Sequence, residues 1–145
     1  MTIKSILHDT KGVLQALDNS ADNETLTGNG VDMQGYDSVC FITGAQLGEE
    51  LTFTQKVQQA TDDEYSDAAD LADSSDSFTT DVYTDGLLFT EVHHPRERYV
   101  RPVITVPDAN TAKAVFCVAL LFNSTKGPLG ANEGELLTSP AEGTA

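Results

Sequence analysis

Few residues in this chain have the type and spacing to carry chemistry. Two of its three histidines are adjacent, in His93-His94-Pro95. Neighbouring residues of an extended segment point to opposite sides, so these imidazoles do not converge on one ion, and a surface loop is the better reading. Cys40 and Cys117 lie far apart inside apolar segments, with no second Cys or His at metal-ligand spacing, and both read as buried free thiols. Asp18-Asn19-Ser20-Ala21-Asp22-Asn23-Glu24 offers oxygen side chains at the first, third and fifth positions of an EF-hand-like loop. It then departs from one, with Asn23 where glycine makes the sharp turn and Asn29 where a bidentate glutamate would close the shell. GxSxG, GxxxxGK[ST], HExxH, CxxC and a strand-borne GxGxxG are all missing, and there is no Trp to stack on a sugar. The expectation is a protein that is not an enzyme, with no catalytic residues, no metal site and no cofactor.

What remains is a basic cluster, Arg96, Arg98 and Arg101, in a very acidic chain. Lys plus Arg number 8 against 23 Asp plus Glu, a formal charge of −15. Between Lys56 and Arg96 stand ten acidic residues, Asp62 to Glu91, with no Lys or Arg among them. Such a field repels phosphate backbones, so nucleic acid is excluded as a partner. A solvated face is the ordinary role of such a run, and whether residues 62–85 also hold cations stays open. In this background the arginines are the natural ion-pair formers, either internally with the acidic loops, holding the ends of the fold, or by a bidentate contact with a carboxylate on a neighbouring subunit.

The elements that position these groups follow from hydrophobic period. In Leu51 to Gln58, Leu51, Phe53 and Val57 share one face while Thr52, Thr54, Lys56 and Gln58 share the other, as in a half-buried antiparallel strand. Tyr36 to Thr43 and Ala114 to Phe122 are apolar on both faces and read as central strands. Arg98 to Val106 alternates as well, with Val100, Ile104 and Val106 facing one way and Tyr99, Arg101, Val103 and Thr105 the other. Pro102 places that strand at an edge or beside a bulge, because proline gives no ladder donor. The first twenty residues read as two short extended pieces, Asp18 to Gly35 as turns around at most one short strand, and Asp62 to Asp76 as a loop or one helical turn.

Seven to nine short strands with turn signals between them indicate an all-β fold, an antiparallel β-sandwich or jelly-roll-like barrel. At 145 residues one domain is expected, over 1–125, with 1–27 an N-terminal arm or edge strands and 126–145 an extended C-terminal tail. No run of about 18 apolar residues and no signal-peptide pattern is present, so neither a membrane partner nor export is expected.

Several segments occur in a familiar order: Val31-Asp32-Met33-Gln34-Gly35-Tyr36-Asp37-Ser38-Val39, the strand LTFTQKVQQ, then Thr61 to Ala69 (TDDEYSDAA), and Glu97 to Thr105 (ERYVRPVIT). Over about residues 28–123 this resembles small proteins encoded in the head-gene modules of tailed bacteriophages, beside the major capsid protein. Their pattern runs VDxxGYxSV, a strand ending near ESDD, a loop carrying DAA, and [KR]RYVRxxIT. The chain departs from it at Gln59 to Asp63, which is QATDD, at Arg96-Glu97, which replaces Gly-Lys, and in the closing LFNSTKGP.

The resemblance implies a virion structural protein, a capsid decoration or cement protein on the exterior of the head. It would be made in the host cytoplasm, partnered by the major capsid protein and by itself as a homotrimer. Arg96, Arg98, Tyr99, Arg101 and Tyr36 are the assembly candidates. A neck or tail component of the same particle is the nearest alternative. A glycan- or host-surface-binding module is the other, with Tyr36, Tyr65, Tyr83 and Tyr99 as its phenolic platforms.

Overall fold

The computed structural model describes residues 5–18, 24–46, 50–80, 86–107, 114–125 and Gly134. One helical turn, α1 (Ile6–Asp9), precedes ten strands: β1 (Lys11–Asp18), β2 (Glu24–Thr27), β3 (Val31–Asp32), β4 (Tyr36–Gln46), β5 (Leu51–Ala60), β6 (Ala69–Asp70), β7 (Asp76–Thr80), β8 (Gly86–His93), β9 (Tyr99–Val106) and β10 (Ala114–Ser124). They form two antiparallel sheets. One has the order β1-β10-β4-β8; the other has β2-β9-β5-β6, with β3 also beside β9 and β7 also beside β5. The sheets pack face to face, which makes the fold the all-β sandwich that the alternation indicated.

Between the sheets lie Phe41, Phe53, Val57, Val100, Ile104, Val106 and Val115, none of them exposed to solvent. Their i, i+2 spacing on each strand places them on one face, so burying that face sets the register. Gln55 sits in the same buried row as Phe53 and Val57. Its amide is satisfied across the core: the Thr43 hydroxyl donates to Oε1, and Nε2 donates to the Thr90 hydroxyl at 2.7 Å. This polar bridge ties β5 of one sheet to β4 and β8 of the other. Cys40 and Cys117 are both buried free thiols.

Four expectations need correction. The strand bearing Pro102 is interior, with β5 on one side and β2 and β3 on the other. The bulge half of that reading holds. Ladder pairing runs from Glu24↔Val106 to Thr27↔Val103, stops, and resumes at Val31↔Val100, so residues 28–30 leave the ladder opposite Arg101 and Pro102. The Pro102 carbonyl accepts from Gly28 N at 2.9 Å, and the missing N–H faces the same interruption. Second, the segment from Asp18 to Gly35 holds two short strands, β2 and β3, because both borrow β9 as a template. Third, residues 6–9 are helical, capped by Ser5, whose hydroxyl accepts from His8 N while its own N–H donates to Asp9 at 2.8 Å. The strand count also exceeds seven to nine, through the two-residue strands β3 and β6.

Candidate functional site

The VDxxGY turn, the Tyr-Val-Arg segment and the start of the 61–68 loop meet in one cross-strand row. Asp32 of β3 is opposite Tyr99 of β9, and Tyr99 is opposite Ala60 at the end of β5, from which the 61–68 loop departs. The turn after β3 is built by Asp32 itself, whose Oδ1 accepts from Gln34 N at 2.9 Å, and by the bond from Tyr36 N to the Met33 carbonyl. Gly35 adopts φ +90 there, a conformation that glycine adopts without strain. Met33 N donates to the Arg98 carbonyl at 2.8 Å, which fastens the turn to the start of β9.

Arg98 then clamps the same turn from its side chain. Nε donates to Asp32 Oδ1 at 2.8 Å, and a terminal nitrogen donates to Asp32 Oδ2 and to Gln34 Oε1, each at 2.7 Å. This is the bidentate fork that guanidinium geometry favours. Hydrogen bonding from Arg98 holds the Asp32 carboxyl below its ordinary range, and the same bond raises Arg98. The guanidinium also lies 5.2 Å from the Tyr99 ring.

On the same face of β9 two residues later, Arg101 donates twice to Gln58 Oε1, at 3.0 and 2.9 Å, and stacks 4.4 Å over the ring of Tyr65. Tyr65 comes from the acidic loop, at φ +58, and meets Tyr99 edge-on at 6.4 Å. The loop is held by its own acids. Asp62 accepts from Glu64 N, Ser66 N and the Ser66 hydroxyl, and Asp67 accepts from Thr61 N and its hydroxyl. Those bonds, Ser66 first, hold the Asp62 carboxyl below its ordinary range. Asp62 and Asp67 are therefore engaged as local caps. The Tyr65 phenol ends against Gly30, where an added Cβ would lie 1.9 Å from the hydroxyl oxygen. Burial pushes this phenol up to about 12; its oxygen faces the Val31 backbone, and no hydrogen bond of ordinary geometry reaches it among the described residues.

The candidates thus separate. Arg98, Tyr99 and Arg101 belong to one braced unit, and its acidic partner is Asp32 of the β3 turn. Pairing with the 62–85 run does not occur at Arg101, which uses an amide and an aromatic ring instead. Tyr36 starts β4 opposite Ser124 and stands between two shallow surface hollows. One is lined by Lys11, Asp32 and Thr125; the other is lined by His94, Arg96 and Arg98. Burial raises the Tyr36 phenol. Arg96 is exposed and forms no ion pair among the described residues.

His93 and His94 diverge as expected: His93 Nδ1 is 2.7 Å from the Ser38 hydroxyl, while His94 turns at φ +50 with its N–H on the Asp37 carbonyl. Among the described residues no three His, Cys, Asp or Glu side chains gather as a metal would require. Residues 19–23 of the EF-hand-like stretch, Tyr83 and nearly all of the 126–145 tail lie outside the described residues. Sequence reasoning missed Gln34, Gln58 and Gly30 as partners in this unit. The available signal was that Gln34 lies within the VDxxGY segment.

No protein-family model matches the chain, and no curated protein matches it. Among solved structures the chain is similar to the crystal structure of PBSX exported protein XepA, with a TM-score of 0.53 and 13% identity. The likeness covers 99% of this chain and 44% of that one, so the chain spans less than half the length of that neighbour. At this identity the likeness concerns the fold.

Proposed function

We propose that this chain is a non-catalytic structural protein of a tailed-phage particle, and that it decorates the outer surface of the head, where it bridges major capsid protein subunits. The observation that carries this reading is the row Asp32–Tyr99–Ala60 with its Arg98 and Tyr65 braces. The segments in which the chain resembles head-module proteins are scattered between Val31 and Thr105, yet they form one folded unit. A sandwich with open strand edges suits strand addition or seam covering on a lattice, where many identical weak contacts accumulate. The net charge of −15 suits a position away from packaged DNA. The fold likeness to PBSX exported protein XepA is consistent with such an origin and adds no role by itself.

Quantitative mass spectrometry of purified particles tests the proposal. Hundreds of copies per particle support decoration. Six or twelve copies would replace it with a neck or tail station, and absence from the particle would overturn it.

A further inference from the structure

The four-stranded sheet buries only one of its faces within the sandwich, yet much of its other face is apolar; the adjoining row, Gly12, Leu120, Cys40 and Glu91, ends in a carboxylate on the edge strand β8. Two complete cross-strand rows make this plain. Leu17, Phe116, Gly44 and Leu87 form one row across β1, β10, β4 and β8, and Leu14, Val118, Ile42 and Phe89 form the other. Neither row contains a charged or hydrogen-bonding side chain. Leu14, Leu17, Leu87, Phe89 and Phe116 are exposed, by 38% to 73%. An antiparallel sheet with one solvated face ordinarily alternates apolar and polar residues, and β4 and β10 do not. Gly44 keeps the surface level: a Cβ there would lie 2.3 Å from the Phe116 ring and 2.9 Å from Leu87, so both side chains lie down across the glycine.

We infer that this face is covered by the same face of a second copy of the chain, sheet on sheet, around a two-fold axis. Charge argues for this occupant. A chain of net charge −15 repels its own copies wherever acidic surfaces meet, whereas these two rows bring no carboxylates together. Area agrees. The five exposed side chains leave roughly 500 Å² of apolar surface open, at the upper end for a monomer. A standard interface takes about 800 Å² from each partner and homodimer faces are about 65% apolar, so one such face contains that amount. A single patch that matches itself closes as a two-fold pair, and aligned sheets stack about 10 Å apart. The pair is independent of the particle role proposed above, and it makes the building block a dimer where the resemblance implied a trimer.

Light scattering of the full chain across a micromolar concentration series tests this. The expected mass is twice 15.5 kDa. Leu17→Lys and Phe89→Lys lie on the two edge strands, where lysine remains solvated in the free chain. Each is expected to halve the mass with an unchanged circular dichroism spectrum and a melting temperature that no longer rises with protein concentration, while Thr105→Lys on the opposite sheet leaves the pair intact. A monomeric or trimeric parent overturns the inference, as does a pair that survives both substitutions. If the parent is monomeric and Phe89→Lys instead abolishes binding to isolated heads, the face belongs to the shell; the self-association is then refuted while the decoration reading stands.

Discussion

Arg98 and Asp32, 66 residues apart in sequence, meet through two parallel hydrogen bonds of 2.8 and 2.7 Å, and Gln34 adds a third acceptor to the same guanidinium. The pair joins the turn before β4 to the residue that leads into β9. It is about half exposed, so its value lies in orienting the turn more than in net stability.

Arg98→Lys keeps the charge and loses the fork. Native-state hydrogen exchange is expected to accelerate at Gln34 N, Tyr36 N and Met33 N, with little change in the core strands and a small fall in melting temperature. Unchanged exchange at those three amides would remove Arg98 from the bracing role.

The Asp32 carboxyl titrates below its ordinary 3.8, chiefly through the Arg98 hydrogen bond. The unfolded chain therefore takes up this proton at a higher pH than the folded one does. The contribution of the pair is present above pH 3.8 and is lost as pH falls through the lower folded value. Acid titration of Asp32→Asn monitored by fluorescence or circular dichroism is expected to show a shallower loss of stability below about pH 4 than the parent shows.

Gly30 leaves no room for a side chain and sits at φ +82. Gly30→Ala is expected to cost roughly 2–4 kcal/mol in urea unfolding, from the strained backbone and the collision with Tyr65. Placing the same substitution in a Tyr65→Ala background removes the collision and is expected to cost about 1–2 kcal/mol, the backbone part alone. Equal costs in both backgrounds would show that the phenol does not occupy that space.

Removing Gln55 alone strands the buried Thr43 hydroxyl and the half-buried Thr90 hydroxyl and opens a cavity. Gln55→Ala is expected to destabilise by roughly 2–4 kcal/mol. Replacing the whole network, Gln55→Met with Thr43→Val and Thr90→Val, removes every unpaired group together and is expected to lie within about 1 kcal/mol of the parent. Denaturant midpoints at unchanged slope distinguish these outcomes.

Burial pushes the Cys117 thiol up to about 11 from an ordinary 9.0. The folded chain holds this proton where the unfolded chain has released it, so stability declines as pH rises from 9 towards 11. Cys117→Ala is expected to flatten that alkaline decline. A thiol reagent at neutral pH should label neither Cys40 nor Cys117 in the folded protein and both in denaturant.

The sandwich class was legible because burial of one sheet face writes a period of two into each strand, as in Leu51, Phe53 and Val57. The cysteines were legible from their apolar neighbours. The 62–85 acids were legible as a charged run, whereas the use of Asp62 and Asp67 as caps on their own loop depends on backbone directions that the run does not encode. Pro102 was misread as an edge marker in part because its ladder gap is supplied by residues 28–30, more than seventy positions earlier.

What the sequence by itself determined, then, is where the long strands β4, β5, β9 and β10 run, which of their faces are apolar, and that the chain is strongly negative. These are properties of local period and composition. Only the tertiary structure decided that Asp32 is the partner of Arg98, that Tyr65 closes over Gly30, and that Leu14, Leu17, Leu87, Phe89 and Phe116 stand exposed on the outer face of one sheet. Each of these depends on strand order and on which distant segment arrives alongside, and a period of two says that a face must be covered without saying by what.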